Sequence, residues 1–313
     1  NLGEPIVVAE ENIPQSGGTV TVEKSGSIID GLQLEVPEGC YADPVDFTIS
    51  EAAIKASGFP DEFKILSPLI KVDNGGAFSE GMMLVKIPCK LPDGYIPLGF
   101  YYDEATGALE TLPVLDADEN SITVGLRHFS NVGAGGVSEK DAAAIASYDT
   151  GFRPGTDDFH MENNGSYLEP GGHCAGQSLS TMWYYANKKL KGESKLWDKY
   201  DNYGKDSKIT FKTPKLQEDD VMALRLASVA QREADWNSGL RTKFLDACKL
   251  SDKATFYGIV FEMKLTKSPR YISIQRYDAA GNLAGGHAII AYRAEGNRLY
   301  VADPNYPGNQ NRY

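Results

Sequence analysis

Cys174 is the side chain in this sequence best suited to nucleophilic chemistry, because of the residues around it. It lies in a glycine-rich stretch, 170–178, that runs directly into a segment of helical length and propensity, 179–190. Cys174 is therefore expected at the start of a helix, where unpaired backbone amides and the helix dipole stabilise a thiolate. The pattern predicts a cysteine nucleophile. The alternative interpretation is a buried cysteine that begins a core helix.

A second group of polar residues lies near the end of the chain, where two apolar runs flank a glycine turn and predict an antiparallel hairpin. These residues are His287, Asp303 and Asn305. A loop with an odd number of residues, such as 295–297, places all three on one face, with His287 opposite Asn305; an even loop separates them. A carboxylate or amide beside an imidazole holds it in one tautomer, as a general base for a thiol requires. The alternative is a hairpin histidine that only meets an exposed Asp-Pro turn.

The order of these residues resembles that of papain-like cysteine peptidases, in particular the bacterial branch that includes the bacteriocin leader peptidases. In that family the cysteine begins a helix, and the other two residues follow on a later hairpin. The resemblance implies that Cys174 is the nucleophile, His287 the base and later the acid, and Asp303 the orienting group. Asn305 is the alternative to Asp303. The resemblance also implies peptide-bond hydrolysis through an acyl-enzyme, with a peptide or protein substrate and no cofactor or metal.

The sequence departs from the family at the residue that stabilises the oxyanion. Papain-like enzymes carry a glutamine six residues before the nucleophile, and this chain has Leu168 there. The nearest upstream amides are Asn163 and Asn164, and an amide NH₂ could act beside the Cys174 N–H. Asn163 is favoured, with Asn164 as the alternative, although Asn-Asn-Gly is also a common turn.

The remaining elements of the second half fit the same plan. Segments 216–230 and 240–250 have helical periodicity, whereas 256–262 and 271–275 are predicted to be strands. A helical half followed by a sheet half is the papain-like arrangement, so the peptidase domain is predicted over 151–313. A closing strand is expected beyond the residues given. Cys248 is predicted to be buried on the apolar face of the second helix, and His160 and His173 to lie at the surface or to line the site.

Residues 1–133 have a different pattern, in which short alternating stretches are separated by turns. Alternation predicts strands with one buried face, and regular turns predict a β-sandwich; the stretches are 18–22, 32–36, 45–49, 83–87 and 122–124. The segment resembles the β-sandwich of ankyrins and netrin receptors, and the matching residues are Gly17-Gly18, 34–39, 85–88 and 128–131. The glycine-rich stretch 133–136 and a capped, alanine-rich run predict a linker and a short helix over 134–150.

Composition limits the class of protein. The chain has 313 residues, which favours two domains, and its 42% hydrophobic and 24% charged residues are ordinary globular values. Residues 1–133 carry 7 basic and 21 acidic residues. No basic cluster occurs elsewhere, so nucleic acid is not expected as a partner. No apolar run reaches the ~18 residues that a membrane helix needs.

Two local features leave alternatives open. Cys40 and Cys89 could form a disulfide or remain two buried thiols. Residues 116–120 have the carboxylate spacing of a weak calcium loop, for which a solvated turn is the alternative.

These patterns together predict an α+β protein with an acidic β-sandwich ahead of a papain-like cysteine peptidase. Because the chain begins with Asn1, we expect an export signal or a lipid-anchored N-terminus to have been removed, which places the protein outside a bacterial cell. Two other functions remain open. One is a transglutaminase-like acyltransferase, which hands the acyl group to an amine. The other is an inactive adhesion or binding protein, which Leu168 favours.

Overall fold

The computed structural model describes residues 1–107, 109–129, 131–200, 222–234 and 248–313. These residues combine antiparallel sheets with helices, which agrees with the predicted α+β class. The chain divides into two compact units, Asn1–Ile145 with Ser238–Thr266 and Ala146–Asn237 with Lys267–Tyr313. No helix in the described ranges is long and apolar enough to cross a membrane.

The first unit contains a larger and a smaller antiparallel sheet. The larger sheet has the strand order β1 (Ile6–Ile13), β4 (Val45–Ala52), β6 (Leu69–Asp73), β12 (Asn131–Ser138), β8 (Tyr95–Tyr102) and β9 (Leu109–Leu112), with β5 (Phe63–Ile65) paired to β12. The smaller sheet has the order β10 (Val114–Asp118), β11 (Ser121–Leu126), β7 (Met83–Pro88), β3 (Gln33–Val36) and β2 (Gly18–Thr21). The strands predicted from alternation are confirmed.

One apolar core takes side chains from both sheets. In β3, Leu34 and Val36 are buried while the residues between and before them are exposed. Leu34 joins a cluster that also holds Phe47 of β4 and Val85 of β7. The period-two pattern therefore gives each sheet one apolar face, and the two faces bury the same core.

The glycines predicted to form a linker instead belong to strand β12, an internal strand of the larger sheet. A Cβ atom on Gly133 would lie 2.2 Å from the ring of Phe100, and one on Gly135 would lie 2.2 Å from the ring of Phe63. Glycine in this strand makes room for aromatic rings that come from distant parts of the chain. The linker prediction is wrong here for that reason.

Helix α1 (Glu139–Ala144) follows β12 and confirms the predicted short helix. The Oγ atom of Ser138 caps it by accepting a hydrogen bond from the backbone N–H of Asp141.

The strand predicted at 256–262 is wrong, because this segment is part of a helix, Asp252–Thr266. This helix belongs to the first unit, and its Phe261 stacks on Phe63 with ring centroids 5.7 Å apart. A short apolar run fits a strand or a buried helix equally well by periodicity alone, and the surrounding aromatic cluster decides for the helix.

Cys248 is exposed, so the prediction that it lies in the core is also wrong. Residues 240–247 of one predicted helix and 216–221 of the other lie outside the described residues. Residues 248–250 are not helical, whereas 222–230 are confirmed as part of a helix, Met222–Ala234.

The second unit packs helices on a small antiparallel sheet. Its strands are β13 (Tyr148–Asp149), β14 (Arg270–Tyr277), β15 (Leu283–Glu295) and β16 (Arg298–Ala302), and β15 pairs with each of the others. Its helices are α2 (Cys174–Asn187), a short 3₁₀ turn (Lys189–Lys191) and α3 (Met222–Ala234). The helix of the first unit at Asp252–Thr266 is α4. The strand predicted at 271–275 is confirmed within β14.

Candidate active site

Helix α2 begins at Cys174, as predicted, and the thiol is half-buried. The thiol lies near enough to the side chain of His287 and the backbone amide of Ala288 for both to lower its pKa. A sulfur atom and an imidazole that are far apart in the sequence are therefore neighbours in the fold. Their proximity needs both α2 and strand β15 to be held in place.

Two contacts of α2 fix the position of Cys174. One turn after the cysteine, Ser178 donates from Oγ to the carbonyl oxygen of Ala288 at 3.4 Å, which ties the helix to the residue after His287. On its other side α2 crosses α3 so closely that a Cβ atom on Gly176 would lie 1.8 Å from the carbonyl oxygen of Ala227. The amide of Gly176 donates to Oε1 of Gln231 at 3.0 Å, which satisfies one of the unpaired amides of the helix start.

The hairpin that carries His287 has an even turn, so the predicted odd loop is wrong. Glu295 pairs with Arg298, which leaves a turn of two residues. A bulge between Ala291 and Arg293 then adds one residue to strand β15. The extra residue shifts the pairing of β15 with β16 by one, which gives the same pairing that an odd loop would have given. His287 and Asp303 therefore lie on the same face after all.

Asp303 orients the imidazole. Its Oδ1 atom lies 2.6 Å from Nε2 of His287, so Nδ1 is the ring nitrogen left to face the thiol. The carboxylate is buried, and it also accepts from the backbone N–H of Asn305 at 2.9 Å and from Nη2 of Arg312 at 3.0 Å. Asn305 places its amide nitrogen 3.2 Å from the same Nε2 atom. An NH₂ group cannot accept the ring proton, so the geometry favours Asp303 over Asn305 for this role.

The hydrogen bonds set the charges of these groups. Burial opposes ionisation of Cys174, but hydrogen bonds from His287 and from the Ala288 amide hold the pKa of the thiol below its ordinary value. Hydrogen bonds with Asp303 and Cys174 raise the pKa of His287 to about 9. Burial also opposes ionisation of Asp303, yet its contacts with His287 and Asn305 keep the pKa of the carboxyl low. The arrangement therefore lowers the pKa of the thiol and favours an imidazolium and a carboxylate at neutral pH.

Of the two predicted oxyanion donors, Asn163 is connected to the site. Its Oδ1 atom accepts from the backbone N–H of His173 at 2.6 Å, and its Nδ2 atom donates to Oδ1 of Asn305 at 3.0 Å. Asn164 instead donates to the carboxylate of Glu162 at 3.1 Å. Asn163 therefore bridges the start of α2 and the end of the hairpin.

The two histidines near the site have different environments. His173 is fully buried, and burial lowers its pKa to about 4, so it is neutral at physiological pH. The ring of His160 is half-buried and stacks on Trp197. The prediction of a surface position is therefore wrong for His173. His160 lines a neighbouring cavity.

Sequence reasoning missed Arg312, Ser178 and Gln231. The contact of Arg312 with Asp303 depends on a backbone hydrogen bond from Val301 to the carbonyl oxygen of Arg312, a pairing that no local pattern signals. For Gln231 a signal existed. A glycine inside a helix, two residues after the proposed nucleophile, indicates the close approach of another element.

The other chemical candidates do not assemble into sites. Cys40 and Cys89 are free thiols. In the loop at 116–120, Asp118 accepts from the backbone N–H of Asn120, as in a common turn. Within the described ranges, no group of three or more His, Cys, Asp or Glu side chains could hold a metal ion.

Comparison with known proteins places this chain in no family. No protein-family model matches the sequence, and no curated protein matches it significantly.

Proposed function

We propose that this protein is a cysteine peptidase that hydrolyses peptide bonds through an acyl-enzyme. The observation that carries the proposal is that His287 lies beside Cys174 and is hydrogen-bonded on its other side to Asp303. A thiol, an imidazole and a buried carboxylate in this order meet the geometric needs of a nucleophile, a base and an orienting group.

In the first half of the reaction, the thiolate of Cys174 attacks the carbonyl carbon of the peptide. A C–S bond forms, and the π electron pair of the carbonyl moves onto its oxygen. The Cys174 N–H and the Asn163 amide stabilise this oxyanion. The oxyanion then reforms the carbonyl and expels the amine, which takes its proton from Nδ1 of His287.

In the second half, neutral His287 takes a proton from water as the water attacks the acyl-enzyme. Collapse of this second tetrahedral intermediate breaks the C–S bond, releases the carboxylic acid and restores the thiolate and the imidazolium. Asp303 keeps the ring in the same orientation in both halves and stabilises its positive charge.

The architecture of both units is part of the proposal. A helix that begins at the nucleophile and packs on the strand that carries the base supports a papain-like second unit. Two sheets around one core support a β-sandwich of the ankyrin and netrin-receptor type for the first unit.

Cleavage of an unfolded protein, followed by mass spectrometry, tests the activity. We expect Cys174→Ala to reduce cleavage by at least about 10³-fold, since nucleophile removal has effects of this size or larger. Cys248→Ala is the matched control, because this cysteine is exposed and belongs to the first unit. Cleavage that survives Cys174→Ala would overturn the proposal. If the wild type incorporates a labelled amine in place of hydrolysis, the activity is acyl transfer. If the wild type catalyses neither reaction, a binding protein is favoured.

A further inference from the structure

A cavity of about 480 Å³ lies beside the proposed catalytic residues, within the second unit. Asn305 belongs to both, because it lines the cavity and places its amide nitrogen 3.2 Å from Nε2 of His287. His160, Glu162, Trp197 and Tyr306 form other parts of the wall. The volume is that of a pocket for a small ligand. One side chain of a peptide bound at Cys174 would be able to reach this cavity.

The wall of the cavity is held by specific packing. The indole of Trp197 stacks on the ring of His160, with centroids 3.9 Å apart. A Cβ atom on Gly308 would lie 2.6 Å from Trp197. The buried carboxylate of Asp158 accepts from the backbone amides of Gly155 at 2.6 Å and Gly308 at 2.9 Å, so one residue fixes two loops of the wall. The cavity is therefore preformed.

The described residues that line the cavity include one carboxylate, that of Glu162, and its side chain is exposed. Asp198 does not line the cavity and lies 2.5 Å from Nδ1 of His160. No lysine or arginine lines the cavity in the part of the chain that the structure describes.

We propose that this cavity is a subsite for the side chain of a lysine or arginine in the peptide substrate, near the bond that is cleaved. The proposal rests on the peptidase function above. Glu162 would pair with the cation, and Trp197 would contact the aliphatic part of the side chain. Asn305 sets the distance between this subsite and the catalytic residues.

Binding and cleavage of paired peptides test the proposal. Each pair has the same sequence and carries either arginine or the uncharged norleucine at one position, and the position is moved along the peptide. Binding is measured by calorimetry with the full-length Cys174→Ala protein, and kcat/KM is measured with the wild type. At one position we expect arginine to be favoured about tenfold in both measurements, as for a hydrogen bond to a charged group.

Variants in the same protein assign the preference to the cavity. We expect Glu162→Gln to remove most of the preference for arginine, and Glu162→Lys to reverse it. Glu295→Gln removes the same charge at the hairpin turn and should leave the preference unchanged. Equal binding of both peptides, no binding of either, or a preference that survives Glu162→Gln would overturn the subsite. A binding preference without any cleavage would instead uphold the subsite and overturn the peptidase function.

Discussion

The carboxylate of Asp303 is shared between His287 and Arg312. Its Oδ1 atom lies 2.6 Å from Nε2 of His287, and its Oδ2 atom accepts from Nη2 of Arg312 at 3.0 Å. The guanidinium of Arg312 also lies over the ring of Tyr306, 4.1 Å from its centroid. Arg312 is therefore a positioning residue, because it acts on the imidazole only through Asp303.

Replacement of Arg312 by methionine should lower kcat/KM by about tenfold, the cost of losing a hydrogen bond to a charged group. Arg312 helps to keep the pKa of Asp303 low. Without it Asp303 becomes protonated at a higher pH, and the acid limb of the pH profile moves upward. Arg312→Lys should restore part of the wild-type profile. The control is Arg298→Met, an arginine of the same hairpin that stacks on Tyr313. A lower rate with an unmoved acid limb would show that Arg312 has only a structural role.

The pairing of Cys174 with His287 should be visible in the pH dependence of alkylation. Because the pKa of the thiol is lowered and that of His287 is raised to about 9, Cys174 should react with iodoacetamide at pH 6 far faster than exposed Cys248. His287→Asn removes the cation and should move the midpoint of the Cys174 reaction upward. Labelling sites and rates are read by mass spectrometry. Equal rates for the two cysteines at pH 6 would contradict the ion pair.

The same pair predicts the alkaline limit of activity. Acylation needs the protonated imidazole to give a proton to the leaving amine, and this form is lost as the pH rises through the pKa of His287. We therefore expect kcat/KM to fall above a pH of about 9. The measurement is kcat/KM against pH with a peptide that contains no ionisable side chain. A rate that stays constant through this range would show that His287 is not the acid.

Gly176→Ala should lower the free energy of unfolding of the second unit. The added methyl group would overlap the carbonyl oxygen of Ala227, and overpacking of this kind costs typically about 1–3 kcal/mol. Gly171→Ala is the matched control from the same glycine-rich stretch, because a Cβ atom there meets nothing within 4 Å. Urea unfolding of both variants measures the difference. Equal midpoints would mean that α2 and α3 do not pack as closely as described.

Asp158 should make the protein less stable as the pH rises. Burial raises the pKa of this carboxyl to about 6, so the folded state binds a proton that the unfolded chain has already released. This contribution to stability is complete below the unfolded pKa, near 4, and is lost as the pH rises through 6.

The difference in unfolding free energy between the wild type and Asp158→Asn should therefore shrink from pH 4 to pH 7, by roughly 2 kcal/mol. Asp149→Asn is a useful control, because the pKa of Asp149 is lowered and its effect has the opposite sign. A difference that grows with pH for Asp158 would mean that its carboxylate is charged throughout.

Patterns that depend on near neighbours in the chain were predicted well. The alternation in β3 gave the correct buried face at Leu34 and Val36, since side-chain direction in a strand follows from sequence position. The helix at Cys174 was also predicted, from the glycines before it and the propensity after it. The glycines at 133–136 and the apolar run at 256–262 were misread, because their structure depends on aromatic rings elsewhere in the first unit.

The sequence by itself determined that a cysteine would begin a helix and that a histidine and an aspartate would follow on one hairpin. Only the tertiary structure decided that they meet. The even turn would have separated His287 from Asp303, and the bulge between Ala291 and Arg293 brought them to one face. Bulges, ion pairs such as Arg312 with Asp303, and close helix crossings arise from packing between residues distant in the chain, and periodicity carries no information about such packing.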